Sequence, residues 1–132
     1  MKIMIVEDNA STSKFLEKVL KTYGDCHIAM NGQEAVEQFK EALEANAPFQ
    51  LVCMDIMMPV MNGQAALKAI RALETEHKVK PGDEVRVIMI TALDDTRSVC
   101  ESFFQGGATS YMTKPIQIST LQEKLREAKL IP

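Results

Sequence analysis

Three carboxylates, a threonine and a lysine stand directly behind short apolar runs in this chain of 132 residues. Glu7 and Asp8 follow Lys-Ile-Met-Ile-Val. Asp55 follows Leu-Val-Cys-Met, Thr91 follows Val-Arg-Val-Ile-Met-Ile, and Lys114 follows Ser-Tyr-Met-Thr. Carboxylates gathered in one place repel one another unless a cation neutralises them. Oxygen ligands with no histidine or cysteine beside them favour a hard divalent ion, Mg²⁺ or else Mn²⁺. A lysine offers an anion a point charge and three donors. The Thr91 hydroxyl and the Ala92 amide add two more donors. A metal, a lysine and a hydroxyl around one carboxylate form an apparatus for phosphoryl transfer, with the carboxylate as nucleophile. Asp55 is the candidate nucleophile, because it sits at the mouth of an apolar run that Pro59 and Gly63 then turn.

These groups meet only if the runs before them end on one edge of a sheet. Strands are predicted at Lys2–Val6, about Cys26–Met30, Leu51–Asp55, Val85–Ile90 and Ser110–Thr113. The first, third and fourth are continuously apolar, as strands buried on both faces are. Helical spacing separates the runs: Phe15, Leu16, Val19 and Leu20; Ala35, Val36, Phe39 and Leu43; Ala66, Leu67, Ile70 and Leu73; Val99, Cys100, Phe103 and Phe104; Ile118, Leu121, Leu125 and Ala128. The first helix is expected to be capped by Ser11, Thr12 or Ser13 and to end by Gly24. Asn31-Gly32 reads as a turn, and Glu74–Glu84, with Pro81-Gly82-Asp83, as the longest irregular loop. Five strands alternating with five helices predict an α/β domain with a doubly wound parallel sheet. Right-handed crossovers would put all five strand ends on one edge.

Composition narrows the functions. The chain is 46% apolar and 25% charged, as a single soluble domain is. Its net charge is −3 and its basic residues are scattered, which argues against nucleic acid as a direct partner. Cys26, Cys53 and Cys100 lie far apart, and His27 and His77 stand alone, so no zinc site is expected. Free thiols fit a reducing cytoplasm. No apolar segment is long enough for a signal peptide or a membrane span.

As an ordered set, Glu7-Asp8, Asp55 with Met58-Pro59 and Gly63 behind it, Thr91-Ala92 and Lys114-Pro115 resemble the response-regulator receiver domains of bacterial two-component signalling. The likeness runs over essentially the whole chain. It implies a flavodoxin-like (βα)5 fold with strand order 2-1-3-4-5. It makes Asp55 the phosphoacceptor. Asp8 and Asp55 would bind Mg²⁺ together with the backbone carbonyl of Met57, and Glu7 would act through water. Lys114 would pair with the phosphoryl group, across a cis peptide to Pro115. Thr91 would turn toward the phosphoryl oxygens, and Tyr111 stands where the family places its switch aromatic.

The resemblance further implies a sensor histidine kinase or a histidine phosphotransfer protein upstream. A downstream target protein would read a face built from the fourth helix, fifth strand and last helix, with Phe103, Phe104 and Gln117 as candidates. It implies a single receiver domain over 1–132 with no attached output domain, in the cytoplasm, catalysing only its own phosphorylation and dephosphorylation. Met57 and Leu93 would flank the path of the hydrolytic water. Neither can orient a water, so a slowly decaying phosphoryl group is expected. The competing enzyme reading is an aspartyl phosphatase of the haloacid dehalogenase kind. It needs an acid where Met57 stands and a nucleophile on strand 1. A flavodoxin would need a phosphate loop where Glu7-Asp8 would repel phosphate.

Overall fold

A computed structural model describes residues 1–58, 60–92 and 107–132. Five parallel strands form one sheet: β1 (Lys2–Val6), β2 (Asp25–Ala29), β3 (Leu51–Asp55), β4 (Arg86–Thr91) and β5 (Ser110–Thr113), in the order β2-β1-β3-β4-β5. Four described helices join them: α1 (Ala10–Leu20), α2 (Gly32–Glu44), α3 (Gly63–Glu76) and α4 (Ile118–Glu127). The helix expected around Val99–Phe104, and Cys100 with it, lies outside the described residues.

Successive strand residues point to opposite faces, so each apolar strand feeds two cores. Ile3, Ile5, Leu51, Cys53, Ile88 and Ile90 pack on Leu16 and Leu20 of α1 and Leu121 and Leu125 of α4. Met4, Val6, Val52, Met54, Val87 and Met89 pack on Phe39 of α2 and Ala66, Leu67 and Ile70 of α3. Burial on both faces is why the first, third and fourth runs are apolar without alternation. Cys53 is fully buried, and burial, with a smaller contribution from Cys26, pushes its thiol up to about 12. Burial also raises the Cys26 thiol. Both remain thiols.

Several expected boundaries shift, each for a local reason. The first helix is capped by Asn9, whose side chain accepts from the Thr12 amide at 3.1 Å. Ser13 is instead buried inside the helix and donates to the Ala10 carbonyl at 3.1 Å. Asn31 is likewise a cap rather than a free turn, accepting from Glu34 N at 2.9 Å, and Asn62 accepts from Ala65 N at 2.9 Å. The first helix ends at Leu20, before Gly24. Gly24 serves a close approach of backbones: a Cβ there would lie 2.0 Å from the Met1 carbonyl oxygen, which accepts from Asp25 N at 2.8 Å. That bond opens β2 at Asp25, one residue earlier than the apolar pattern indicates.

The largest correction concerns Glu74, read as the start of a polar loop. It lies on α3 and is buried. One carboxylate oxygen accepts from Arg71 Nη1 at 2.6 Å and the other from Val85 N at 2.7 Å. Arg71 Nε and Nη2 in turn donate to the Gly107 carbonyl at 3.0 and 2.7 Å. This buried pair ties α3 to the start of β4 and to the approach to β5. Glu74→Ala leaves the Val85 amide without its acceptor, at a cost of about 1–3 kcal/mol. Urea unfolding checks this, and a midpoint equal to wild type would contradict it.

The outer strand β2 leaves Asp25 and His27 exposed, and the Gln38 amide donates to its Ile28 carbonyl at 3.0 Å. Among the described residues no helix is long and apolar enough to cross a membrane.

Candidate functional site

The strand register sets the expected groups side by side. Val6 pairs with Met54, Asp55 with Ile90, and Thr91 with Thr113. Glu7-Asp8, Asp55, Thr91 and Lys114 therefore emerge at the same edge from β1, β3, β4 and β5.

Glu7, Asp8 and Asp55 each offer a carboxylate oxygen, and these oxygens lie within 4.8 Å of one another. Asp8 is exposed, while Glu7 and Asp55 are only 1% and 4% exposed. Lys114 Nζ donates to Asp55 Oδ2 at 2.9 Å and reaches Glu7 Oε1 at 3.3 Å. Burial, then the hydrogen bond and charge of Asp55, raise the Glu7 carboxyl to about 8 against the opposing pull of Lys114. Burial tends to lower the Lys114 ammonium, but hydrogen bonding and charge from Asp55, then Glu7, outweigh it and hold it above its usual value.

Glu7 Oε2 is buried with no hydrogen-bond partner in the protein. A buried carboxylate oxygen in that condition is costly, and a cation or its water relieves the cost. The donor set is oxygen only, which fits Mg²⁺ or Mn²⁺: one or two carboxylates, with waters completing the shell.

Local structure fixes the acceptor. Met57 N donates to Asp55 Oδ1 at 3.3 Å, so Met57 meets Asp55 through its amide as well as offering the carbonyl expected from the sequence. Ile56 N donates to Ile90 O at 3.1 Å, and Gly63 N to Ile56 O at 3.0 Å. A Cβ on Gly63 would lie 2.6 Å from the Asp55 carbonyl oxygen, so only glycine lets the loop return this closely. Across the edge, Lys114 N donates to Thr91 O at 2.8 Å, and the Lys114–Pro115 peptide is cis. Thr91 is buried, and its hydroxyl donates to the Ala92 carbonyl at 3.4 Å. Ala92 is exposed, and Tyr111 is half-buried, with Lys124 Nζ 5.9 Å from its ring centroid. Gln117 is the exposed cap residue of α4, whereas Leu93, Phe103 and Phe104 lie outside the described residues.

Helical spacing placed Phe15 in the core, and this is corrected. Phe15 is 37% exposed and, with Ser11, Thr12, Lys114, Pro115 and Ile116, lines a cavity of about 310 Å³ beside the acid cluster. Its stripe neighbours Leu16 and Leu20 fill the inward positions. A stripe one residue too wide was the signal that Phe15 faces out.

The fold and this edge of acids and lysine define a receiver-type signalling module. The sequence profile of the response regulator receiver domain matches residues 3–126, and the chain belongs to that family. Such domains serve two-component and phosphorelay signalling and are not metabolic enzymes. The chain is 31% identical over 123 residues to hybrid signal transduction histidine kinase I of Dictyostelium discoideum, covering 92% of this chain and 7% of that one. It therefore spans a small part of such relatives. Among solved structures it is similar to the receiver domain of Saccharomyces cerevisiae Ssk1 crystallised with the histidine phosphotransfer protein Ypd1. That match has a TM-score of 0.82 and 29% identity, over 96% of this chain and 87% of that one. The receiver domain of the Arabidopsis thaliana histidine kinase CKI1, complexed with Mg²⁺ and BeF3⁻, matches with a TM-score of 0.83 and 25% identity. It covers 97% of this chain and 89% of that one.

Proposed function

We propose that this chain accepts a phosphoryl group on Asp55 from a sensor histidine kinase or a histidine phosphotransfer protein. The observation that carries this is the pairing of Asp55 with Lys114 Nζ at 2.9 Å inside an acid cluster that includes Glu7 and Asp8. An Asp55 oxygen attacks phosphorus, the bond from phosphorus to the donor nitrogen breaks, and the donor leaves as imidazole. Asp8 and Asp55, with the Met57 carbonyl, would hold Mg²⁺, and Glu7 would act through one of its waters. The bound ion neutralises charge on the phosphoryl oxygens. Lys114, already hydrogen-bonded to the acceptor, moves its donors onto the new oxygens.

Phosphorylation adds a charge of about −1.5 to −2 and three acceptor oxygens. The Thr91 hydroxyl, which has only a long bond to Ala92 to give up, turns toward them. Tyr111 then moves inward, biasing a surface of β5 and α4 that a target protein reads. The expected fourth helix would complete that face. The exposed Phe15 beside Pro115 and Ile116 supports donor docking next to Lys114. The free thiols support a reducing cytoplasmic setting. The only reactions catalysed are gain and loss of its own phosphoryl group.

The test is intact mass after incubation with acetyl phosphate and Mg²⁺. The wild type gains one phosphoryl group, and Asp55→Asn gains none. No adduct on the wild type, or an equal adduct on the variant, overturns the assignment.

A further inference from the structure

The turn that carries Asp55 presents sulfur to solvent. Of nine methionines, Met4, Met54, Met89 and Met112 are buried, while Met57 is 72% exposed and Met30 44%. Met57 is tied to the acceptor through its amide on Asp55 Oδ1. Three residues on, Val60 is 81% exposed and sits at φ 70°, a left-handed conformation unusual for a β-branched residue. The loop of Met30 rests against this turn through Gly32 N donating to Met61 O at 3.1 Å.

A thioether is a weak hydrogen-bond acceptor. Met57 thus offers water near Asp55 a surface that does not hold it. A peroxide changes that chemistry. The sulfur lone pair takes one oxygen, the O–O bond breaks, and the peroxide is reduced to water while sulfur is oxidised by two electrons to the sulfoxide. The S=O oxygen is a strong acceptor on a chain with three rotatable bonds.

We propose that Met57 is a redox-modifiable residue that sets the lifetime of the phosphoryl group on Asp55. Its sulfoxide accepts a hydrogen bond from a water and holds it against phosphorus. The water oxygen bonds to phosphorus, the bond from phosphorus to the Asp55 oxygen breaks, and the carboxylate is restored. The water's proton leaves with inorganic phosphate. The inference rests on Asp55 being the phosphoacceptor.

The experiment loads the protein with acetyl phosphate and Mg²⁺, removes the donor, and follows decay of the adduct by mass before and after hydrogen peroxide. Peptide mapping locates the sulfoxides. Met57 is oxidised ahead of Met4, Met54, Met89 and Met112, and decay accelerates about 3- to 10-fold, the effect of one neutral hydrogen bond. Methionine sulfoxide reductase restores the slow decay. Met57→Leu decays at the same rate before and after peroxide although Met30 is still oxidised. Met57→Gln, with a carbonyl acceptor at similar reach, decays fast without peroxide. Unchanged decay once Met57 is a sulfoxide, or acceleration that persists in Met57→Leu, overturns the proposal. No adduct on untreated protein instead overturns the assignment of Asp55, and this inference with it.

Discussion

Below pH 8 the affinity for Mg²⁺ falls by up to about tenfold per pH unit, and it levels off above. The Glu7 carboxyl, raised to about 8 chiefly by burial, holds a proton at neutral pH in the metal-free protein. A divalent ion within reach of Glu7, Asp8 and Asp55 favours the ionised form, so binding expels that proton and is favoured as pH rises. Titration calorimetry in buffers of different ionisation heat measures the released proton directly. Glu7→Gln binds Mg²⁺ more weakly but with nearly constant affinity between pH 6 and 8. Wild-type affinity that does not change over that range, with no proton released, would refute the coupling. The same group affects stability without metal. The folded protein holds a proton that the unfolded chain has released above its ordinary value of 4.5. Stability from this group is therefore full below 4.5 and is lost as pH rises through 8.

Lys114→Ala raises Mg²⁺ affinity about tenfold while removing the phosphoryl group's lysine partner. Lys114 is the cation that touches both Glu7 and Asp55 among the described residues, at 3.3 and 2.9 Å. Its removal ends the repulsion between an ammonium and an incoming divalent ion. It also frees one charge-assisted hydrogen bond on Asp55, an effect worth about tenfold in binding. The metal-free variant should unfold at lower urea than wild type, because three acids then lack their internal counter-charge. Mg²⁺ should narrow that gap. Calorimetry and urea unfolding with and without Mg²⁺ decide the matter, and an unchanged affinity would mean that Lys114 does not compensate the acids.

The sheet and the site were legible because both are written in local runs. Each apolar strand is bounded by the residue it delivers, and parallel crossovers send all those residues to one edge. Asp55, Glu7, Asp8 and Lys114 could be found without knowing a single contact. What stayed hidden depends on long-range partners. Glu74 looks like any surface glutamate until Arg71 and the Val85 amide surround it. Phe15 satisfies the helical spacing of Leu16 and Leu20 yet faces out, because an apolar stripe does not state how wide the buried sector is. The asparagine caps were missed because serine and threonine nearby satisfy the same preference. Gly24 was read as a helix stop, whereas its need comes from Met1, far earlier in the chain.

The bond from Gln38 to the Ile28 carbonyl bears on the protein at high concentration. An open sheet has two borders at which a neighbour could add a strand, and such addition is how templated growth into fibrils starts. At the β2 border a side-chain amide occupies one of the acceptors a foreign strand would need. Asp25 adds a charge there, and the strand has only five residues. The two borders are thus unequal. One is closed to strand exchange, which leaves β5 as the border where association can be placed under control of the acceptor.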